Sequence, residues 1–190
     1  MLDKLQAIRI GRRHHSPTSL TAARANAASS QSTEGASASG LSWVLPGQLA
    51  VGCLPKRSDR SRFQQQQISA IVSLCSDAEG SLPDTIRHSF QYAGFPLPDS
   101  RYPSRATLSQ VQPVLDYIHT CIQQRQVVYV HCLAGVERSP MICAAYLCQY
   151  HALSAWEAIT YLTQQHPNTC LTEAQCCLVQ AIAAQAAESS

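Results

Sequence analysis

The apolar positions of this chain fall into two patterns. Short apolar runs bounded by turn residues predict strands, and apolar residues recurring every three or four positions predict helices. Leu41–Gly52 places two strand-like pieces on either side of the turn signal Pro46-Gly47. Ile68–Cys75, ISAIVSLC, is apolar at most positions and predicts a central strand. Ile86–Pro96 carries a weaker strand pattern through Phe90, Tyr92 and Phe95, and Val127–Val130 a short buried one. A helix is predicted from Ser58, as N-cap, through Gln67. Another covers Thr107–Gln124, where Leu108, Val111, Leu115, Ile118 and Ile122 recur at helical spacing. Pro113 is expected to kink that helix or displace its start. Three more helices follow: Ser139–His151, one to Gln165, and one to about Ala187. The last two open with capping boxes, Ser154-x-x-Glu157 and Thr172-x-x-Gln175.

Strands alternating with helices predict an α/β fold: a central mixed, largely parallel sheet with helices on both faces. Residues 41–190 are expected to form that domain. Residues 1–40 read as a flexible Ser-, Ala- and Arg-rich extension. Ser16–Gly40 has no aromatic residue, and such a segment buries too little to offset its ordering entropy.

Charge and cysteine content narrow the function. The net charge is +2, too small to argue for a nucleic-acid partner. It is uneven: residues 1–40 carry five Lys and Arg against two acids, and the rest nine against ten. The nine Cys are odd in number and follow no secretory leader, which predicts free thiols in a reducing compartment. The expected location is the cytoplasm, or an organelle if the Arg- and Ser-rich N-terminus acts as a transit peptide. No C-x2-C pair with a partner pair, as a zinc site would need, is present, and no apolar run reaches the ~18 residues of a membrane span. Neither metal binding nor stable membrane insertion is expected, and the chain is expected to be monomeric.

The candidate chemistry lies in Val127–Met141, VVYVHCLAGVERSPM. A strand feeds a tight loop, and the loop feeds a helix N-terminus. The first amides of a helix lack intrahelical partners and the helix dipole adds positive charge there, so phosphates settle at such ends. Gly135 permits a close backbone approach, Pro140 fits the first helical turn, and Arg138 offers a planar fork for two phosphate oxygens. A thiol at a helix N-terminus beside a cation titrates at about 3.5–7.5 rather than about 8.5. Cys132 is therefore expected to be a thiolate at neutral pH, a nucleophile for in-line attack on phosphorus. Ser139 is expected to donate to it and ease its later departure.

These residues, His131-Cys132-x-x-Gly135-x-x-Arg138-Ser139, resemble the Cys-x5-Arg phosphatase family, and most closely its small dual-specificity branch of protein tyrosine phosphatases. The Trp43…Pro46-Gly47…Leu49-Ala50 opening resembles the same branch. The resemblance implies hydrolysis of phosphate monoesters through a cysteinyl-phosphate. It implies phosphate binding by Arg138 and by the amides of Leu133, Ala134, Gly135, Val136, Glu137 and Arg138. His131 would orient the loop through hydrogen bonds. The family's general acid lies on a loop some thirty residues upstream of the nucleophile. Asp99 stands 33 positions before Cys132, in a Pro-rich stretch, and is the only acid between Asp84 and Asp116. Gln175 has two readings, helix cap or the water-positioning Gln of related phosphatases; the cap is favoured. No cofactor is called for, because Arg138 and the helix end supply positive charge. The loop interior carries no Lys or Arg apart from Arg138, so phosphoproteins are the expected substrates, with phosphotyrosine and phosphoserine or phosphothreonine both open. A small-molecule or lipid phosphatase and a phosphate-binding pseudophosphatase remain alternatives.

Overall fold

The computed structural model describes residues 41–188. The expected extension, residues 1–40, lies outside the described residues. Eleven elements follow one another: β1 (Leu41–Leu45), β2 (Leu49–Cys53), α1 (Asp59–Gln65), β3 (Ala70–Ser73), α2 (Asp84–Arg87), β4 (Gln91–Gly94), α3 (Leu108–Gln123), β5 (Val128–Cys132), α4 (Arg138–His151), α5 (Ala155–Gln165) and α6 (Glu173–Glu188).

The five strands form one sheet in the order β1-β2-β5-β3-β4. Only β1 runs antiparallel to its neighbour, joined to β2 by the turn at Pro46-Gly47; the other pairings are parallel. This is the mixed, largely parallel sheet that the alternation of patterns predicts. Alternate residues of a strand face opposite sides. Ala50, Ile71 and Tyr129 pack on one face with Phe63 of α1 and Ile86 of α2, and the Phe63 and Tyr129 rings lie 4.6 Å apart. The opposite face, with Val51, Val72 and Val130 fully buried, is covered chiefly by α4. Met141–Cys148 of α4 is buried at every position, which marks an interior helix rather than an amphipathic one. Burying each large apolar side chain there stabilises the fold by roughly 1.5–3 kcal/mol.

The structure departs from the sequence patterns at two places. Ser58 precedes α1, but its side chain makes no cap hydrogen bond; the Asp59 carboxylate instead accepts from Lys56 N–H at 2.7 Å. The weak strand pattern from Ile86 hides a single helical turn, α2, which buries Ile86 before the chain turns into the short strand β4. Pro113 lies inside α3 and does not displace its start, which Gln110 anchors by accepting from Thr107 N–H at 3.0 Å.

One consequence of the topology places the site. The strands β2, β5, β3 and β4 are mutually parallel, so the segments that follow them emerge at one edge of the sheet. Open α/β sheets bind ligands at that edge.

Candidate active site

β5 is the middle strand, paired on both sides, and delivers His131 and Cys132 at its carboxyl end with both side chains buried. The chain then turns through Leu133–Glu137 into α4. Gly135 is required at the turn for two reasons. Its φ is +74°, a region costly for other residues. A Cβ there would also meet the backbone of Gly52 at 2.6 Å and Cys53 at 2.7 Å. The loop is thus laid directly on the end of β2.

Cys132 Sγ receives two donors, Gly135 N–H at 3.3 Å and the Ser139 hydroxyl at 3.3 Å. Ser139 Oγ also lies 3.1 Å from Gly52 O, so its single proton is shared between sulfur and carbonyl. His131 is fully buried, and burial pushes its pKa down to about 4, so the ring is neutral. Its Nδ1 lies 3.4 Å from Cys132 O, a long contact, and Nε2 has no partner among the described residues. The structure therefore gives His131 only a weak hold on the loop.

Arg138, the first residue of α4, is 2% exposed and gathers the other segments around the cup. Its Nη1 donates to Leu74 O and Leu97 O, both at 3.2 Å, the chain just beyond β3 and β4. Glu79, in the loop after β3, holds the guanidinium with two oxygens, at 3.0 and 2.6 Å. Asp99, in the loop after β4, accepts from Nη2 at 2.8 Å. The Asp99 carboxylate also accepts from Arg101 Nε at 2.7 Å and Arg101 N–H at 3.0 Å. The bonds from Arg101 hold the Asp99 carboxyl below the usual carboxylate range, with Arg138 adding to the effect. Hydrogen bonds from Arg138 do the same for Glu79.

A cavity of about 250 Å³ opens over the sulfur, lined by Cys132, Leu133, Ala134, Val136, Glu137 and Arg138 on one side and by Asp99, Ser100 and Arg101 on the other. Cys132, Arg138, Ser139, Asp99 and the loop residues are thus brought to one place. Gln175 is placed differently: its amide oxygen accepts from Thr172 N–H at 2.9 Å, and its N–H donates to Thr172 Oγ1 at 3.3 Å, closing a capping box at the start of α6. It lines a neighbouring small cavity that Arg138 also reaches.

Sequence patterns did not single out Glu79, Arg101 or His166. His166, just past α5, has Nε2 2.8 Å from Gly135 O. Glu79 carried one usable signal: it is an acid in the loop after a parallel strand that neighbours the nucleophile's own. His166 carried none, since its contact spans 31 positions. Among the described residues no group of three or more His, Cys, Asp or Glu stands close enough to hold a metal ion. None of their helices is long and apolar enough to cross a membrane.

Known proteins share this fold. A mouse putative dual specificity phosphatase solved with zinc tungstate superposes with a TM-score of 0.70 at 18% identity, covering 84% of this chain and 96% of that one. PTPMT1 in complex with PI(5)P gives 0.67 at 19% identity, covering 76% and 96%. These likenesses are of fold. The sequence match is more specific: residues 51–180 fit the model of the dual specificity phosphatase catalytic domain. The chain belongs to that family. Human dual specificity protein phosphatase 18 is 29% identical over 110 residues, and human dual specificity protein phosphatase 21 is 30% identical over the same length. Each match covers 58% of this chain and 55% of the relative, so the chain spans about half the length of these curated relatives.

Proposed function

We propose that this protein is a cysteine-dependent phosphatase that hydrolyses phosphate monoesters of phosphoproteins through a cysteinyl-phosphate. The observation that carries the proposal is the placement of Cys132 Sγ under two hydrogen-bond donors, in a cup closed by Arg138 with Asp99 at its rim.

In the first step the Cys132 sulfur attacks phosphorus and the bond to the ester oxygen breaks. That oxygen keeps the electron pair and takes the proton of Asp99. In the second step water attacks phosphorus, giving its proton to the Asp99 carboxylate. The S–P bond breaks, inorganic phosphate leaves and the thiolate is restored, eased by the Ser139 hydroxyl. Arg138 and the loop amides hold the equatorial oxygens, where such transfers gather charge. His131, neutral and buried, is assigned no role as a base, and its one long contact to Cys132 O gives it little part in positioning the loop.

Asp99 rests ionised between Arg101 and Arg138, whereas the first step needs it protonated. A phosphate dianion docking on Arg138 takes the place of the Asp99 contact and sets negative charge beside the carboxyl. That charge raises its proton affinity. The acid is armed by the substrate.

Phosphoproteins are favoured over lipid phosphates by the cup wall. Leu133, Ala134, Val136 and Glu137 line the cavity, and the loop itself brings no Lys or Arg to it apart from Arg138; Arg101 lines the opposite wall, with its Nε taken up by Asp99. PTPMT1, solved with PI(5)P, shares the fold at 19% identity, and that is the basis for keeping a lipid phosphate in the test. The proposal is tested by phosphate release from phosphotyrosine, phosphoserine and phosphothreonine peptides and from phosphoinositide vesicles, with chelator present, comparing wild type with Asp99→Ala. Peptide turnover with silent vesicles is expected; vesicle turnover with silent peptides would overturn the substrate assignment.

A further inference from the structure

A phosphate cup works only if its amides face inward. The C=O and N–H of a trans peptide point to opposite sides, so each inward N–H needs the preceding carbonyl turned outward. The structure ties down four of these carbonyls. Leu54 N–H donates to Leu133 O at 3.2 Å, Cys170 N–H to Val136 O at 2.9 Å and Met141 N–H to Glu137 O at 2.8 Å. All three donors are backbone. Gly135 O is held by a side chain, that of His166, which is 5% exposed. A carbonyl can only accept, so Nε2 carries the proton. Nδ1 lies 2.9 Å from Ser42 Oγ on β1, which fixes the ring at its other end.

The peptide gripped here is the one least able to hold itself. Gly135 sits at φ +74° with no side chain to bar rotation of the 135–136 peptide. Turning that peptide over would remove Val136 N–H from the cup and point a carbonyl dipole at the phosphate and the Cys132 sulfur.

We propose that His166 is a positioning residue of the phosphate loop: gripping Gly135 O, it aims the Val136 N–H into the cup, with Ser42 Oγ holding the ring at Nδ1. The inference rests on the phosphatase reading above.

The test measures tungstate affinity by calorimetry, and the pH dependence of Cys132 alkylation by iodoacetamide, in wild type, His166→Phe and His166→Gln. His166→Phe is expected to bind tungstate about threefold to tenfold more weakly, the value of one hydrogen bond, and to need higher pH for alkylation. His166→Gln, which keeps an N–H donor, is expected to recover part of both. His166→Phe matching wild type in both would overturn the proposal. A measurement on the wild type covers failure of that variant to fold. Nitrogen NMR is expected to show the His166 proton on Nε2, and a proton on Nδ1 alone would overturn the proposal. Wild type that binds no tungstate would instead refute the phosphatase reading, and the NMR result would still decide whether His166 holds Gly135.

Discussion

Asp99 Oδ2 lies 2.8 Å from Arg138 Nη2. The group proposed to donate the proton therefore rests on the guanidinium proposed to hold the phosphate, and the two roles become available together when substrate arrives. Asp99→Ala is expected to slow alkyl phosphates by about 10²–10⁴-fold, the usual worth of a general acid. Aryl phosphates with good leaving groups should lose much less. Steady-state rates on both substrates check this, and equal losses would remove Asp99 from the acid's role.

Arg101 bears on the proposed acid. Its hydrogen bond to Asp99 is the main reason the carboxyl sits low. Arg101→Gln is expected to raise the Asp99 pKa and so move the alkaline limb of the pH–rate profile to higher pH. The shift should appear with an alkyl phosphate and shrink with an activated aryl phosphate. An unmoved limb would count against the assigned coupling.

Arg138→Lys keeps the charge and loses the fork. One cation cannot reproduce the bonds to Glu79, Leu74 O, Leu97 O and Asp99 together. A fall in kcat of about a hundredfold or more is expected, with circular dichroism unchanged. A rate near that of wild type would contradict its role at the equatorial oxygens.

Glu79 and His131 bear on stability. Glu79→Ala leaves a buried guanidinium with fewer acceptors and is expected to cost about 2 kcal/mol in denaturant unfolding. The Glu79 carboxyl titrates low in the fold, so its contribution is complete above the unfolded value near pH 4.3 and is lost as pH falls through the lower folded value. His131 works over a higher window. Its folded value of about 4 lies below the unfolded value near 6.5, so the unfolded state takes up the proton first. Stability should fall between about pH 6.5 and pH 4, and His131→Asn should flatten that part of the curve.

Much of the sheet was legible because its strands are buried on both faces and so read as continuous apolar runs, as in Ala70–Ser73 and Val128–Cys132. The loop from Cys132 to Ser139 was legible because its chemistry is local: nucleophile, turn glycine and guanidinium lie within eight residues. Asp99 was singled out through the family resemblance and as the only acid between Asp84 and Asp116. What stayed hidden is what the topology assembles. Glu79 lies 59 positions from Arg138, and His166 touches a loop carbonyl 31 positions away and a strand 124 positions away. No periodicity encodes such contacts, because they depend on which strands neighbour one another. The single turn α2 was hidden for another reason: four residues are too few to show a helical period, and Ile86 is apolar in either state.

Rapid quench of the wild-type protein with a radiolabelled phosphopeptide, followed by peptide mapping, tests the central claim most directly. Label bound through sulfur at Cys132 is expected, absent in Cys132→Ser although that variant still binds tungstate. Label at any other residue, or turnover undiminished in Cys132→Ser, would contradict it.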